Sequence, residues 1–167
     1  MLYLVERKKV VIVGIPGVGK TSLVTRIVEL INAEKHCASV HSYGTVMMGE
    51  AEGSEISDRD NLRHLPVSQQ KDLQKQAAAA KISELTDDVV FIDTHAFIST
   101  NEGFYPGLPY HVIQILEPTH LIAISARPEE IYNRRMKDDT RNRDKVSIEG
   151  IKKELAVQDA MLSLIHI

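Results

Sequence analysis

Residues Gly14-Ile15-Pro16-Gly17-Val18-Gly19-Lys20-Thr21 set glycine, a second glycine, lysine and a hydroxyl at the spacing G-x-x-x-x-G-K-[ST]. The residue types follow from what an anion needs. Glycines let a loop curl so that successive backbone N–H groups converge on phosphate oxygens, and a helix N-terminus behind the loop adds the positive end of its dipole. Lys20 carries a mobile charge to the outer phosphates, and the Thr21 hydroxyl is placed to hold Mg²⁺. The chemistry is binding of a nucleoside triphosphate at Gly14, Ile15, Pro16, Gly17, Val18, Gly19, Lys20, Thr21 and the adjoining Ser22.

Such a loop works only between a strand and a helix. Val10 to Val13 is an apolar run suited to a buried parallel strand. From Lys20 to about Glu34, Leu23, Ile27, Leu30 and Ile31 recur at helical spacing. Further along, Ala38 to Tyr43 reads as a second strand closed by Gly44. Asp58 to His64 reads as a short helix, and Val67 to about Leu85 as a longer one. Val89 to Ile92 is a third buried strand, ending in Asp93-Thr94-His95. Gly103 to Pro109, with two glycines and two prolines, reads as a shaped loop before a helix through Leu116. Leu121 to Ile124 is the fourth strand, Pro128 opens a helix through about Lys137, and Ser147 is the N-cap of a final helix. Strands alternating with helices predict a three-layer α/β fold around a central parallel sheet.

The 167 residues suffice for one domain with a real core. A formal net charge of −3 gives no bulk attraction to nucleic acid or to an anionic membrane, so neither is an expected partner. Cys37 is the single cysteine, which excludes an intrachain disulfide and a multi-cysteine zinc site. No apolar run approaches membrane-spanning length. The expectation is a soluble, cytoplasmic protein. Locally the charge is uneven, because Arg134, Arg135, Lys137, Arg141 and Arg143 crowd into one basic stretch.

Five further runs narrow the choice among motors, switches and kinases. They are Tyr43-Gly44-Thr45-Val46-Met47, Asp58-Arg59-Asp60-Asn61-Leu62-Arg63, Phe91-Ile92-Asp93-Thr94-His95, Gly103-Phe104-Tyr105-Pro106-Gly107-Leu108-Pro109 and Thr140-Arg141-Asn142-Arg143-Asp144. Their order resembles that of archaeal-type adenylate kinases over about residues 8 to 160. No Asn-Lys-x-Asp run of the kind that reads guanine is present.

The resemblance implies the Mg²⁺-dependent reaction ATP + AMP ⇌ 2 ADP. Phosphoryl transfer is mostly positioning and charge stabilisation, so no side-chain nucleophile is expected. The resemblance makes Lys20, Arg134, Arg141 and Arg143 the catalytic cations, and gives Thr21 and Asp93 the metal, directly or through water. It assigns AMP to Tyr43, Gly44, Thr45, Arg63, Gly107 and Leu108, within an AMP-binding region of about 43–70, and a basic lid to about 134–146. Bland readings stand beside these. The basic stretch also fits a solvated helix face, Arg59 and Arg63 can pair with Asp58 or Asp60, and Tyr43 can be core packing. His95 reads as a structural hydrogen-bonding residue, and His36 and His41 as structural, without carboxylate or cysteine partners at metal-ligand spacing.

Rival readings are a nucleoside monophosphate kinase with another base preference or broad specificity, a P-loop ATPase acting as a ribosome-assembly or RNA-associated factor, and a non-catalytic nucleotide-binding subunit. The chain departs from the family in two ways. No Arg lies between Asp93 and Arg127, where the bacterial branch places a phosphate ligand. The family's last strand and helix also lack a counterpart after Ile167, which raises the expectation of a truncated reading frame, non-native final residues and a fourth strand at the sheet edge. A homo-oligomer, a trimer in some relatives, is a further partner state that the resemblance allows.

Overall fold

The computed structural model describes residues 7–50, 66–77, 85–100, 103–137 and 147–165. Among these, four parallel strands form the central sheet in the order β2-β3-β1-β6: β1 is Lys8–Val13, β2 Ala38–Ser42, β3 Val89–Thr94 and β6 His120–Ala123. The β1 residues alternate between the two faces. Val10 and Ile12 point to one helical layer, and Val11 and Val13 to the other. Both faces are therefore apolar, as a doubly covered parallel sheet requires.

One outer layer is α1 (Lys20–Ala33), whose Val24, Ile27, Val28 and Ile31 pack on Val10, Ile12 and Phe91. The opposite layer comprises α2 (Tyr43–Glu50), α3 (Val67–Ala77), α4 (Tyr110–Leu116) and the end of α6 (Ile148–Ile165). A third cluster closes the end of the sheet nearest the glycine loop, where Ile15 and Val18 meet Phe97, Ile131 of α5 (Pro128–Lys137) and Ile151 of α6. This is the three-layer α/β arrangement anticipated from the alternation of elements.

Local chemistry sets the boundaries. Helix α1 ends where Lys35 takes a positive φ of 65° and His36 N–H donates back to Ile31 O at 3.3 Å. Asn32 then clasps Ala38 through both backbone groups, its Oδ1 accepting from Ala38 N at 2.8 Å, which feeds the chain into β2. Pro128 opens α5, with Glu129 and Glu130 in its first turn and Arg134, Arg135 and Lys137 in its last, charges that complement the helix dipole. Ser147 caps α6, its Oγ accepting from Gly150 N at 3.1 Å.

Three expectations need correction. The second strand stops at Ser42, and Tyr43 begins a helix instead of ending the strand. The core decides this, because Tyr43 and Met47, one turn apart, both bury into the same apolar cluster. The segment from Gly103 is not wholly loop: β5 (Gly103–Pro106) pairs antiparallel with β4 (Phe97–Thr100), and Phe97 and Phe104 meet edge to face at 5.0 Å. The fourth strand runs His120–Ala123, one residue earlier than anticipated. It pairs with β1 alone among the described residues, so it is an edge strand, with Ile122 43% exposed. The anticipated Asp58 to His64 helix and the stretch from residue 78 to 84 lie outside the described residues.

Candidate nucleotide site

The loop Gly14–Gly19 connects the end of β1 to the first residue of α1. Gly17 and Gly19 have φ of 88° and 97°, the left-handed conformation that glycine adopts without penalty and that alternates backbone N–H groups into an anion-binding nest. Gly14 is needed for a different reason. A methyl group there would lie 2.8 Å from Val18 Cγ2 and 2.9 Å from Ile124 O. The loop is anchored from below by buried Ile15 and Val18 and from outside by α5.

That outer anchor uses backbone carbonyls. Arg134 Nη1 donates to Val18 O at 2.8 Å and more weakly to Gly17 O at 3.4 Å, while Arg135 Nε donates to Pro16 O at 2.9 Å. With these carbonyls taken up by guanidinium groups, the loop is braced on its outer side. Arg134 is half-exposed and also lies 3.7 Å from Glu130. Glu130 in turn is held by Arg127, whose hydrogen bond and charge keep its carboxyl below the usual range.

Lys20 is buried at the first position of α1, and its Nζ donates to Gly14 O at 2.5 Å. The same Nζ stands 3.9 Å from Asp93 Oδ1. The β1–β3 register pairs Ile12 with Asp93, so the carboxylate reaches the loop from the neighbouring strand at its carboxyl end. Open α/β sheets place their ligand crevice there. Thr21 and Ser22 follow on the exposed face of the first helical turn.

A few protein oxygens are enough for Mg²⁺, which keeps waters and takes other ligands from substrate phosphates. The Asp93 carboxylate beside the loop and the Thr21 hydroxyl on the first turn are hard oxygen donors of that kind. Among the described residues no group of three or more His, Cys, Asp or Glu could hold a metal by itself.

The residues expected on the acceptor side separate into two groups. Tyr43 is 2% exposed, and its hydroxyl donates to the Gln74 carbonyl of α3, with burial pushing the phenol pKa up. Its ring belongs to the core and fixes the start of α2, where Gly44 is half-buried and Thr45 exposed. Gly107 and Leu108 are buried as well. Gly107 N donates to Ala96 O at 3.0 Å, and a Cβ there would fall 2.3 Å from His95 O, so only glycine lets the hairpin return against the end of β3. Arg63, Arg141 and Arg143 lie outside the described residues, as does Arg59.

His36 Nδ1 lies 3.9 Å from one carboxylate, Asp88 Oδ2, supplied from a distant part of the chain. His41 hydrogen-bonds Ser39, and Cys37, Ser39 and His41 gather around Asp87. Sequence reasoning also missed Glu154 of α6, which accepts from both terminal nitrogens of Arg135, at 2.6 and 3.3 Å. Nothing in the local pattern around residue 154 signals that partner.

Fold and site together define a P-loop nucleotide-binding protein: a glycine loop at the carboxyl end of a parallel sheet, a lysine inside it and a carboxylate on the adjacent strand. A family model described as an AAA domain matches residues 13–152. The adenylate kinase of Methanocaldococcus jannaschii is 40% identical over 148 residues, covering 87% of this chain and 77% of that protein. The adenylate kinase of Sulfurisphaera tokodaii is 38% identical over 145 residues, covering 84% and 75%. A solved structure of shikimate kinase from Acinetobacter baumannii in complex with shikimate aligns with a TM-score of 0.60 at 13% identity, over 93% of this chain and 78% of that one, and so shares the fold. The chain belongs to the adenylate kinase family.

Proposed function

We propose that this protein catalyses reversible phosphoryl transfer from ATP to AMP, giving two ADP, in a single domain. The observation that carries the reading is the Lys20 ammonium set between Gly14 O of the loop and the Asp93 carboxylate of β3, in a family member 40% identical to a curated adenylate kinase. The backbone from Gly14 to Ser22 receives the donor phosphates. Lys20 leaves its carbonyl partner to follow charge onto the transferring group, an interaction strongest in the transition state. Thr21 and Asp93 would hold Mg²⁺, which when bound neutralises phosphate charge.

On the acceptor side, Gly44 and Thr45 at the start of α2 face AMP, with Tyr43 fixing their position and Arg63 contributing charge in a region of about 43–70. Gly107 and Leu108 shape the opposite wall. Arg134, Arg141 and Arg143 form the basic lid of about 134–146, closing over the reacting phosphates and excluding water that would otherwise hydrolyse ATP. A chain with one cysteine, hence no internal disulfide, suits the reducing cytoplasm. No described helix is long and apolar enough to cross a membrane.

The test compares AMP, CMP, UMP and GMP as acceptors with ATP as donor. The reading expects the largest kcat/KM for AMP and negligible ATP hydrolysis without an acceptor. A preference for another monophosphate, or acceptor-independent hydrolysis, would overturn it.

A further inference from the structure

Two consecutive arginines leave the end of α5 in different directions and meet different surroundings. Arg134 is half-exposed and hydrogen-bonds the outer carbonyls of the loop. Arg135 is held more tightly. Its side chain is only 9% exposed, and Nη1 and Nη2 are engaged by both carboxylate oxygens of Glu154 in a forked ion pair. The remaining donor nitrogen, Nε, reaches Pro16 O, and the aliphatic stem lies against the Gly17 backbone, with Cγ 3.1 Å from where a Cβ would stand. Pro16 and Gly17 are the turn of the phosphate loop.

We propose that Arg135 and Glu154 form a positioning clamp that fixes the phosphate-loop turn for donor nucleotide binding, coupling α6 to the loop through the Pro16 carbonyl. The physical argument is one of orientation. A planar guanidinium gripped bidentately has little rotational freedom, so its third donor direction is set by the carboxylate. Glu154 is itself partly buried, at 20% exposure, and comes from a helix seated in the same apolar cluster as Ile15 and Val18. Pinning one carbonyl of a loop that contains two left-handed glycines restricts the conformations available to its N–H groups. The loop then meets phosphate already ordered. Neither residue needs to touch nucleotide, and AMP binding should not depend on them.

The inference rests on the nucleotide-site reading but not on the identity of the acceptor, so it is tested with ATP alone. Equilibrium ATP titrations compare the parent with Glu154→Gln, Arg135→Lys and the double variant, alongside AMP titrations and amide hydrogen exchange across Gly14–Lys20. Glu154→Gln keeps the size and one acceptor, which favours folding, but releases the fork. The expected result is ATP affinity weakened by about three- to tenfold, the scale of one ordinary hydrogen bond. AMP affinity stays unchanged, and exchange in the loop becomes faster. The double variant should be no worse than the poorer single one, since both break the same clamp. Unchanged ATP affinity and loop exchange in Glu154→Gln would overturn the clamp, as would equal losses for ATP and AMP. A parent that fails to bind ATP would overturn the nucleotide site itself. Should Glu154→Gln not fold, Arg135→Lys read by the same exchange measurement decides the question by the same criteria.

Discussion

Lys20 Nζ stands 3.9 Å from Asp93 Oδ1, two side chains delivered by different elements to the same end of the sheet. The strand register creates the meeting, since Ile12 pairs with Asp93 one residue before β1 gives way to the glycine loop. Lys20 also donates to Gly14 O, so in this state the ammonium is held by the loop it serves. Under the proposed function the ammonium leaves Gly14 O for the transferring phosphoryl group and stabilises charge that develops in the transition state.

Lys20→Ala should therefore remove catalysis while leaving the sheet in place. The expected loss is at least ~2 kcal/mol of transition-state stabilisation, as for other removed charge-stabilising donors. Steady-state ADP formation together with far-ultraviolet circular dichroism checks this. A folded variant with near-parent kcat would contradict the assignment of Lys20.

Gly14→Ala probes the loop sterically. The added methyl would sit 2.8 Å from Val18 Cγ2 and 2.9 Å from Ile124 O, and the latter is backbone that cannot easily retreat. Overpacking of this kind costs roughly 1–3 kcal/mol. Urea unfolding should show that loss, with weaker ATP binding. An unchanged unfolding midpoint would mean that the loop and the Ile124 backbone just after β6 are less closely apposed than described.

Tyr43→Phe distinguishes a core role from contact with the acceptor. Deleting the hydroxyl leaves the buried Gln74 carbonyl without this donor, which should cost about 1 kcal/mol of stability with KM for AMP unchanged. Thermal unfolding and AMP saturation curves report the two quantities separately. A raised KM for AMP at unaltered stability would return the Tyr43 hydroxyl to the binding site.

Parts of this architecture were legible in the sequence because their determinants are local. The phosphate loop needs glycine at fixed offsets, Pro128 starts a helix by its own φ, and Ser147 caps one with its own hydroxyl. The start of α2 was not legible, because Tyr43 and Met47 become one helical face only once the core draws both inward. The β4–β5 hairpin was obscured by Gly103, Pro106 and Gly107, which read as loop residues until the close return of Gly107 against His95 gives them a register. The basic stretch signalled clustered cations, but not that Arg134 and Arg135 reach different carbonyls of the loop. That division depends on Glu154, brought in by the packing of α6 on α5.

His111 yields a pH prediction. Its pKa lies below the ordinary 6.5, first through burial and then through repulsion from Lys71 and Lys75 of α3, and its Nε2 has no hydrogen-bond partner among the described residues. Below pH 6.5 the unfolded chain thus takes up a proton that folded His111 resists, so stability should fall as pH drops through that range. His111→Asn should flatten this part of the profile, measured as the unfolding midpoint against pH. An identical slope in parent and variant would remove His111 as its source.

Isotope-labelled AMP reports the phosphoryl transfer itself. With unlabelled ATP and Mg²⁺ present, label should pass into ADP as ATP is consumed, two ADP forming for each AMP used. The transfer should be absent when ATP is omitted and nearly lost in Lys20→Ala. Label remaining in AMP while ATP is consumed would contradict it.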